Sequence, residues 1–447
     1  MTNPPSQPSS LRSQLLRAVR GSVLVRVGAL GTSLLSSVAL ARALGADAYG
    51  VYAFVFAVVT VLALPSQVGI PTLVVRETAK NQAKAAWSEL RGLWRWAFRA
   101  IFSTSLLVAG IASLVIFLLG DRVDVALRST LLAGLVLVPL VALGNARGAA
   151  LRGLRHIVAG QLPESVLRPG FQVLLVVACW GLWSRLSAPQ AMWLHALAAA
   201  LAFAIGAMML WKHTPDAAQG ATPDSTGARL WWRAALPLAL IGGLQVVGNQ
   251  SGVLLLGLFH AGPDVGLYKV AASAATLAAF GLQTANMILG PYVARLHATG
   301  DTAGLQKLAS AGALCSGALT VPVFLVFLIG GDRIVSLLYG AEYVGARLPL
   351  MLLAAAQMVN ALFGSVGLLL NMTGLERDAA RWLSLSAIAQ LLLGLALVPP
   401  FGMAGAAIAT LVSTTLWNFA FWMTARRKLG VDGSVFAVRG FSARWFK

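Results

Sequence analysis

The chain holds 447 residues, of which 58% are hydrophobic and only 11% charged, against roughly 45–50% apolar and about 25% charged in ordinary soluble domains. So little charge cannot clothe a soluble surface, so the composition reads as an integral membrane protein and excludes disordered, collagenous, coiled-coil and disulfide-scaffold classes. A net charge of +19 would suggest nucleic acid in a soluble protein, and the loop-by-loop distribution of the cations accounts for it here without nucleic acid.

Residues 1–20 are polar and Pro/Ser-rich, then basic at Arg12, Arg17 and Arg20. No small-residue cleavage site closes the apolar run that follows, so the first span is expected to be a retained anchor. A bilayer core of about 30 Å asks for about 20 apolar residues per helix. Twelve runs meet that need, at about 22–44, 51–74, 99–119, 129–146, 164–183, 189–211, 234–258, 266–289, 308–329, 347–370, 381–398 and 403–424. None alternates with the period of two that a barrel strand requires. The expected fold is an all-α integral membrane protein of twelve transmembrane helices. Cys179 and Cys315 lie in apolar runs and are expected to be buried thiols.

Residues 212–233, with Pro215, Gly220, Pro223, Asp224 and Gly227, form the best-developed polar loop and fall near the midpoint. They divide the chain into a six-helix bundle at 1–211, a cytoplasmic linker at 212–233, a second six-helix bundle at 234–428 and a basic cytoplasmic tail at 429–447. With the N-terminus taken as cytoplasmic, 26 of the 34 Lys and Arg fall on the inner side and 6 in outer loops. That bias predicts both termini inside, with the inner cations drawn to anionic membrane lipids.

The two bundles carry a repeated turn. Gly45, Asp47, Gly50 and Tyr52 between spans 1 and 2 match Gly262, Asp264, Gly266 and Tyr268 between spans 7 and 8, on the same side of the membrane. Same-side copies imply parallel repeats around a central cleft, rocking between inward- and outward-open states.

The stretch Arg42-Ala43-Leu44-Gly45-Ala46-Asp47-Ala48-Tyr49-Gly50-Val51-Tyr52, followed by Gly69-Ile70-Pro71 and Arg76-Glu77, resembles the polysaccharide-transporter (Wzx-type) flippases, as do Gly266-Leu267-Tyr268 and the twelve-helix count. That family belongs to the multidrug/oligosaccharidyl-lipid/polysaccharide exporter superfamily. The resemblance implies translocation of a polyprenyl-pyrophosphate-linked glycan from the inner to the outer leaflet of the cell (inner) membrane. Its implied partners are a lipid-linked anionic glycan, membrane lipids, and a polysaccharide polymerase with glycosyltransferases.

No catalytic, metal or cofactor constellation is visible. His156, His195, His213, His260 and His297 are scattered, and Gly-Asn-Gln-Ser-Gly at 248–252 lacks a P-loop lysine. The expectation is a transporter, not an enzyme, with no cofactor. Ionisable residues within spans are costly in lipid and tend to face a cavity. Arg26 and Lys269 lie within spans, Arg42 near the outer end of span 1 and Arg76 at the inner end of span 2. Each either faces the cleft as an anion ligand or snorkels to the headgroups. Asp47, Asp264 and Glu164 are placed at span ends, leaving the expected cleft cationic and suited to a pyrophosphate. Amides recur at helical spacing as Gln245 and Asn249, Gln283 and Asn286, and Gln357 and Asn360. They either contact sugar hydroxyls or hold helices together. Pro65 and Pro71 are candidate flex points. The alternatives are a multidrug or peptidoglycan-precursor exporter of the same superfamily, a glycan polymerase or ligase, and a non-transporting envelope assembly scaffold.

Overall fold

The computed structural model describes residues 11–182, 185–260 and 262–437, apart from the side chains of 11–20, 22, 121, 236–242 and 436. Residues 438–447 of the expected basic tail, and the side chains of Arg12, Arg17, Arg20 and Pro237, lie outside that description. Fifteen α-helices are present among the described residues. The first part of the chain contributes α1 (Leu11–Gln67), α2 (Ile70–Ala83), α3 (Trp87–Leu119), α4 (Val125–Leu135), α5 (Leu137–Gly153), α6 (Ile157–Leu162), α7 (Arg168–Leu182) and α8 (Ala188–His213). After α9 (Asp216–Gly220) come α10 (Ala228–Phe259), α11 (Gly262–Ala298), α12 (Thr302–Tyr339), α13 (Arg347–Phe363), α14 (Val366–Met372) and α15 (Glu376–Leu429).

Two of these helices are hairpins. The Gly45 backbone in α1 (φ 76°, ψ 169°) and the Gly402 backbone in α15 (φ 51°, ψ −128°) leave helical geometry, and glycine is the residue that adopts such φ values without strain. Ser37 Oγ lies 3.0 Å from Tyr49 OH across Gly45, and Ser413 Oγ donates to the Ser386 carbonyl at 2.9 Å across Gly402. At 1.5 Å per residue, straight helices would hold these pairs roughly 18 and 40 Å apart, so the chain folds back in both places. Among the described residues, nine helical segments are long and apolar enough to cross a membrane. Two of them, Val23–Gln67 and Glu376–Leu429, are these hairpins and cross twice, and the shorter apolar Gly243–Phe259 completes α10 as a crossing. The total agrees with twelve.

The ends differ from the hydropathy reading where water or protein, not lipid, faces the helix. Span 2 breaks at Val68–Gly69, both at positive φ, and α2 starts anew with Pro71 in its first turn. Helix α3 begins at Trp87, twelve residues before its apolar core, and carries Arg91, Arg95 and Arg99. The thiols are not buried as expected: Cys315 is exposed and Cys179 half-buried.

Helices α1 to α8 pack among themselves, as do α10 to α15, and the halves meet chiefly along α1 and α11. Small buried residues, Ala41, Ala43 and Ala53 on α1 with Ala271, Ala274 and Ala275 on α11, allow that approach. The two copies of the repeated turn touch each other. A Cβ at Gly50 would fall 2.6 Å from the Gly262 carbonyl carbon, and one at Gly266 would fall 3.3 Å from the Ala46 carbonyl carbon. The contact is therefore reciprocal, as a pseudo-twofold axis through the junction requires.

Candidate functional site: two cavities on either side of α11

Each half holds a cavity against the α1–α11 junction. The first, of about 760 Å³, lies among α1, α5, α7 and α8. The second, of about 860 Å³, lies among α10, α13 and α15. Ser33 of α1 and Lys269 and Ser273 of α11 line both.

The first cavity is cationic. Arg26, Arg152, Arg168 and Lys269 are on its wall. Arg26 donates to Gln283 Oε1 from Nε at 3.1 Å and from Nη2 at 2.5 Å, linking α1 to α11. Among the described residues the only carboxylate on either wall is Glu164. This corrects its placement at a span end. The helical segment begins at Ile157, and Glu164 lies in a π-helical turn, Pro163–Leu167, one to two turns in. Turns of this type break the ladder and occur at functional sites. Its Oε1 lies 3.2 Å from Arg147 Nη2 and its Oε2 lies 3.7 Å from Arg168 Nη1. The Arg147 side chain is 2% exposed and donates from Nη1 to the Ala202 and Phe203 carbonyls. Two glycines make room: a Cβ at Gly144 would overlap Glu164, and one at Gly206 would overlap the Arg147 guanidinium.

The second cavity is almost free of charge. Gln245, Asn249, Asn286, Gln357 and Asn360 line it, together with Gln250, Asn371, Gln390, Thr410 and Thr414, which the helical spacing did not single out. Lys269 is its one basic side chain among the described lining residues, and none of them is acidic. Asn286 Oδ1 is buried with no hydrogen-bond partner among the described residues. Gln283 and Asn286, expected on one face, part company: α11 is the wall between the cavities, and each side chain faces a different one.

The repeated tyrosines anchor matching networks at the backs of the cavities. Tyr52 OH accepts from Gln172 Nε2 at 2.6 Å and lies 2.7 Å from His195 Nδ1. Tyr268 OH lies 3.4 Å from Thr410 Oγ1, to which Gln390 Nε2 donates at 3.3 Å. Gln172 and Gln390 occupy the fifth crossing of their halves, and His195 and Thr410 the sixth. The repeat in the sequence, carried one step past its turn, would have pointed to these residues.

The remaining two basic residues lie elsewhere. Arg42 Nε donates to the Leu338 carbonyl at 2.8 Å and Nη2 to the Leu337 carbonyl, in the last turn of α12. Those carbonyls lack partners within their own helix and carry the negative end of its dipole. Beside it, Tyr343 OH donates to the Ala41 carbonyl at 2.9 Å. Together with Gly50 and Gly266 these contacts close the Gly45 end of the cleft. Arg76 is exposed on α2, lies on neither cavity wall, and pairs with Glu77 at 3.0 Å.

Comparison with known proteins agrees with this architecture. A probable low-salt glycan biosynthesis flippase, Agl15 of Haloferax volcanii, is 26% identical over 161 residues, which is 36% of this chain and 34% of that protein. An inward-facing multidrug resistance transporter of the MATE family and MOP superfamily superposes with a TM-score of 0.69 at 12% identity, covering 90% of this chain and 94% of its own. The lipid II flippase MurJ in an inward closed conformation gives a TM-score of 0.69 at 10% identity, covering 90% of this chain and 87% of its own. These identities speak for the fold: a multi-pass membrane protein built as the transporters of the MOP superfamily are. Residues 39–347, well over half of the sequence and including both copies of the turn and the α1–α11 junction, match one family along their length, and the chain belongs to the polysaccharide biosynthesis protein family.

Proposed function

We propose that this protein is a flippase that carries a polyprenyl-pyrophosphate-linked oligosaccharide from the inner to the outer leaflet of the cell (inner) membrane by alternating access. The observation that carries the reading is the division of the cleft. Four cations line one cavity and neutral amides and hydroxyls line the other, with Lys269 common to both. A lipid-linked glycan has the same asymmetry: a pyrophosphate that guanidinium forks hold well, joined to a sugar chain rich in hydroxyls that amides hydrogen-bond. The polyprenyl tail stays in lipid. The linker and both termini are cytoplasmic in this reading, so the cleft is closed toward the outer leaflet at the Gly45 end. No covalent step is involved.

Glu164 favours a second reading. A cation-extruding drug exporter needs a carboxylate on its cavity, and Glu164 is one. Its two arginine partners and the net positive wall weigh against a cationic substrate. Reconstituted protein given a labelled lipid-linked oligosaccharide tests both readings. Translocation that Arg26→Ala or Lys269→Ala lowers at equal protein level supports the flippase. Wild-type export by both variants, with drug resistance on overexpression, overturns it in favour of the drug exporter.

A further inference from the structure

A basic pocket of about 530 Å³ lies outside the cleft, lined by Arg95, Trp96, Arg99, Phe102 and Ser103 of α3 and by Ser225 of the linker. Arg95 and Arg99 are exposed, four residues apart on one helix face, and have no ion pair or hydrogen bond among the described residues. The next cation on the same helix is engaged: Arg91, one turn earlier, donates to the Gln219 and Ala221 carbonyls of the linker. The carboxylate closest in sequence to Ser225, Asp224, is occupied by the Thr226 amide at 2.9 Å.

The pocket has the form of a lipid site. Trp96 packs against Trp231 at 5.4 Å and Trp232 at 5.3 Å between ring centroids, and indoles of this kind settle at the headgroup level. Along the same face of α3, at the next helical spacings, follow Phe102 and Leu106, 50% and 52% exposed. Two guanidinium forks and a hydroxyl at the interface, continued by an apolar stripe into the span, complement a negatively charged phosphodiester with acyl chains attached.

We propose that Arg95, Trp96, Arg99 and Ser225 bind the phosphodiester headgroup of an anionic phospholipid, whose acyl chains lie along Phe102 and Leu106. The site joins three pieces of chain: α3, the linker and the indole-bearing start of α10. The lipid would thus brace the linker against the first half.

Native mass spectrometry of the full chain in detergent, titrated with phosphatidylglycerol or phosphatidylcholine, tests this. The wild type is expected to retain one phosphatidylglycerol in preference to phosphatidylcholine. Near the membrane surface each Arg contributes about fivefold in affinity at low salt, so Arg95→Gln with Arg99→Gln should remove most of that preference. Arg377→Gln with Arg381→Gln, at the same end of the molecule, should leave it. The expected result also includes no displacement by millimolar glycerol phosphate. An equal loss in both double variants, an undiminished preference in R95Q/R99Q, or full displacement by glycerol phosphate would each overturn the proposal, the last by assigning the pocket to a free phosphate. Arg99→Gln alone reads the same loss, smaller, if the double variant does not fold.

Discussion

Replacing Gly50 by Ala tests whether the repeated turns form the gate. The added Cβ would lie 2.6 Å from the Gly262 carbonyl carbon and 3.1 Å from its Cα, with the carbonyl oxygen nearer still. Both neighbours are backbone, so no side chain can swing aside, and relief requires α11 to move off the second arm of α1. Overpacking of this kind costs about 1–3 kcal/mol. The cost falls only on the conformation in which the turns touch, so the equilibrium should shift about 5- to 150-fold toward the one in which they part. Ser273, on both cavity walls, offers the reporter once the free Cys179 and Cys315 are replaced by Ala. With Ser273→Cys in place, Gly50→Ala should raise labelling by an impermeant maleimide from the Gly45 side and lower export. Gly266→Ala should do the same, because its Cβ would meet Ala46 and the Gly50 amide, whereas Gly31→Ala, with open space around it, should not. Unchanged labelling and export in Gly50→Ala would show that the turns part without cost and would refute the reasoning.

Glu164→Leu leaves the Arg147 guanidinium buried without its carboxylate and should cost about 3–5 kcal/mol, read as a large loss of melting temperature in detergent; Glu164→Gln keeps an acceptor and should lose less. Arg26→Ala and Lys269→Ala should each lower translocation of the labelled lipid-linked sugar, and Arg76→Ala, which leaves the cavity walls untouched, should lower it far less. Burial alone would raise the Asp432 pKa, but hydrogen bonds from Ser434 and Trp422 and the Arg426 charge more than offset it, so this carboxyl sits below its ordinary range. Its contribution to stability is then complete above the unfolded pKa of about 3.9 and disappears as pH falls through the lower folded value. Asp432→Asn should therefore melt earlier than wild type at pH 7 and converge with it in acid.

The crossings were legible because lipid imposes length and apolarity on every helix it touches. The interior of the cleft was not, for the same reason inverted: a helix face turned to a wet cavity is polar, and hydropathy reads it as a loop. Gln161, on the cavity wall, hid the first turns of the fifth crossing in this way: the apolar run starts at 164, and the helical segment begins at Ile157. The error spread to the charge count. Arg147 and Arg152 fall between the fourth and fifth apolar runs and so count toward the inner side, yet Arg147 is buried against Glu164 and Arg152, with Arg168, lines the cationic cavity. The amides at 245, 249, 357 and 360 were found because helical spacing survives any environment, and they face one cavity. Arg42 and Arg76 looked like the other basic residues near spans, and only the fold distinguishes a helix cap and an exposed ion pair from a cavity wall.

The partners of the cavity cations bear on how an empty carrier could return. Moving several unpaired cations through a low-dielectric junction is costly, and on the proposed reading an anionic substrate relieves that cost in one direction only. Arg26 is held by the Gln283 amide and Arg168 by Glu164, which is in turn fixed by buried Arg147. On the proposed reading a pyrophosphate would replace both contacts, trading a neutral amide oxygen at Arg26 and a 3.7 Å pair at Arg168 for charged oxygens. Arg147, shut behind Glu164 and bonded to two carbonyls, has no such freedom and keeps the carboxylate in place while Arg168 changes partner. On the proposed reading the N-terminal half thus carries its own replacement for the substrate's charge, while the C-terminal cavity, with Lys269 as its one cation among the described residues, has little charge to compensate.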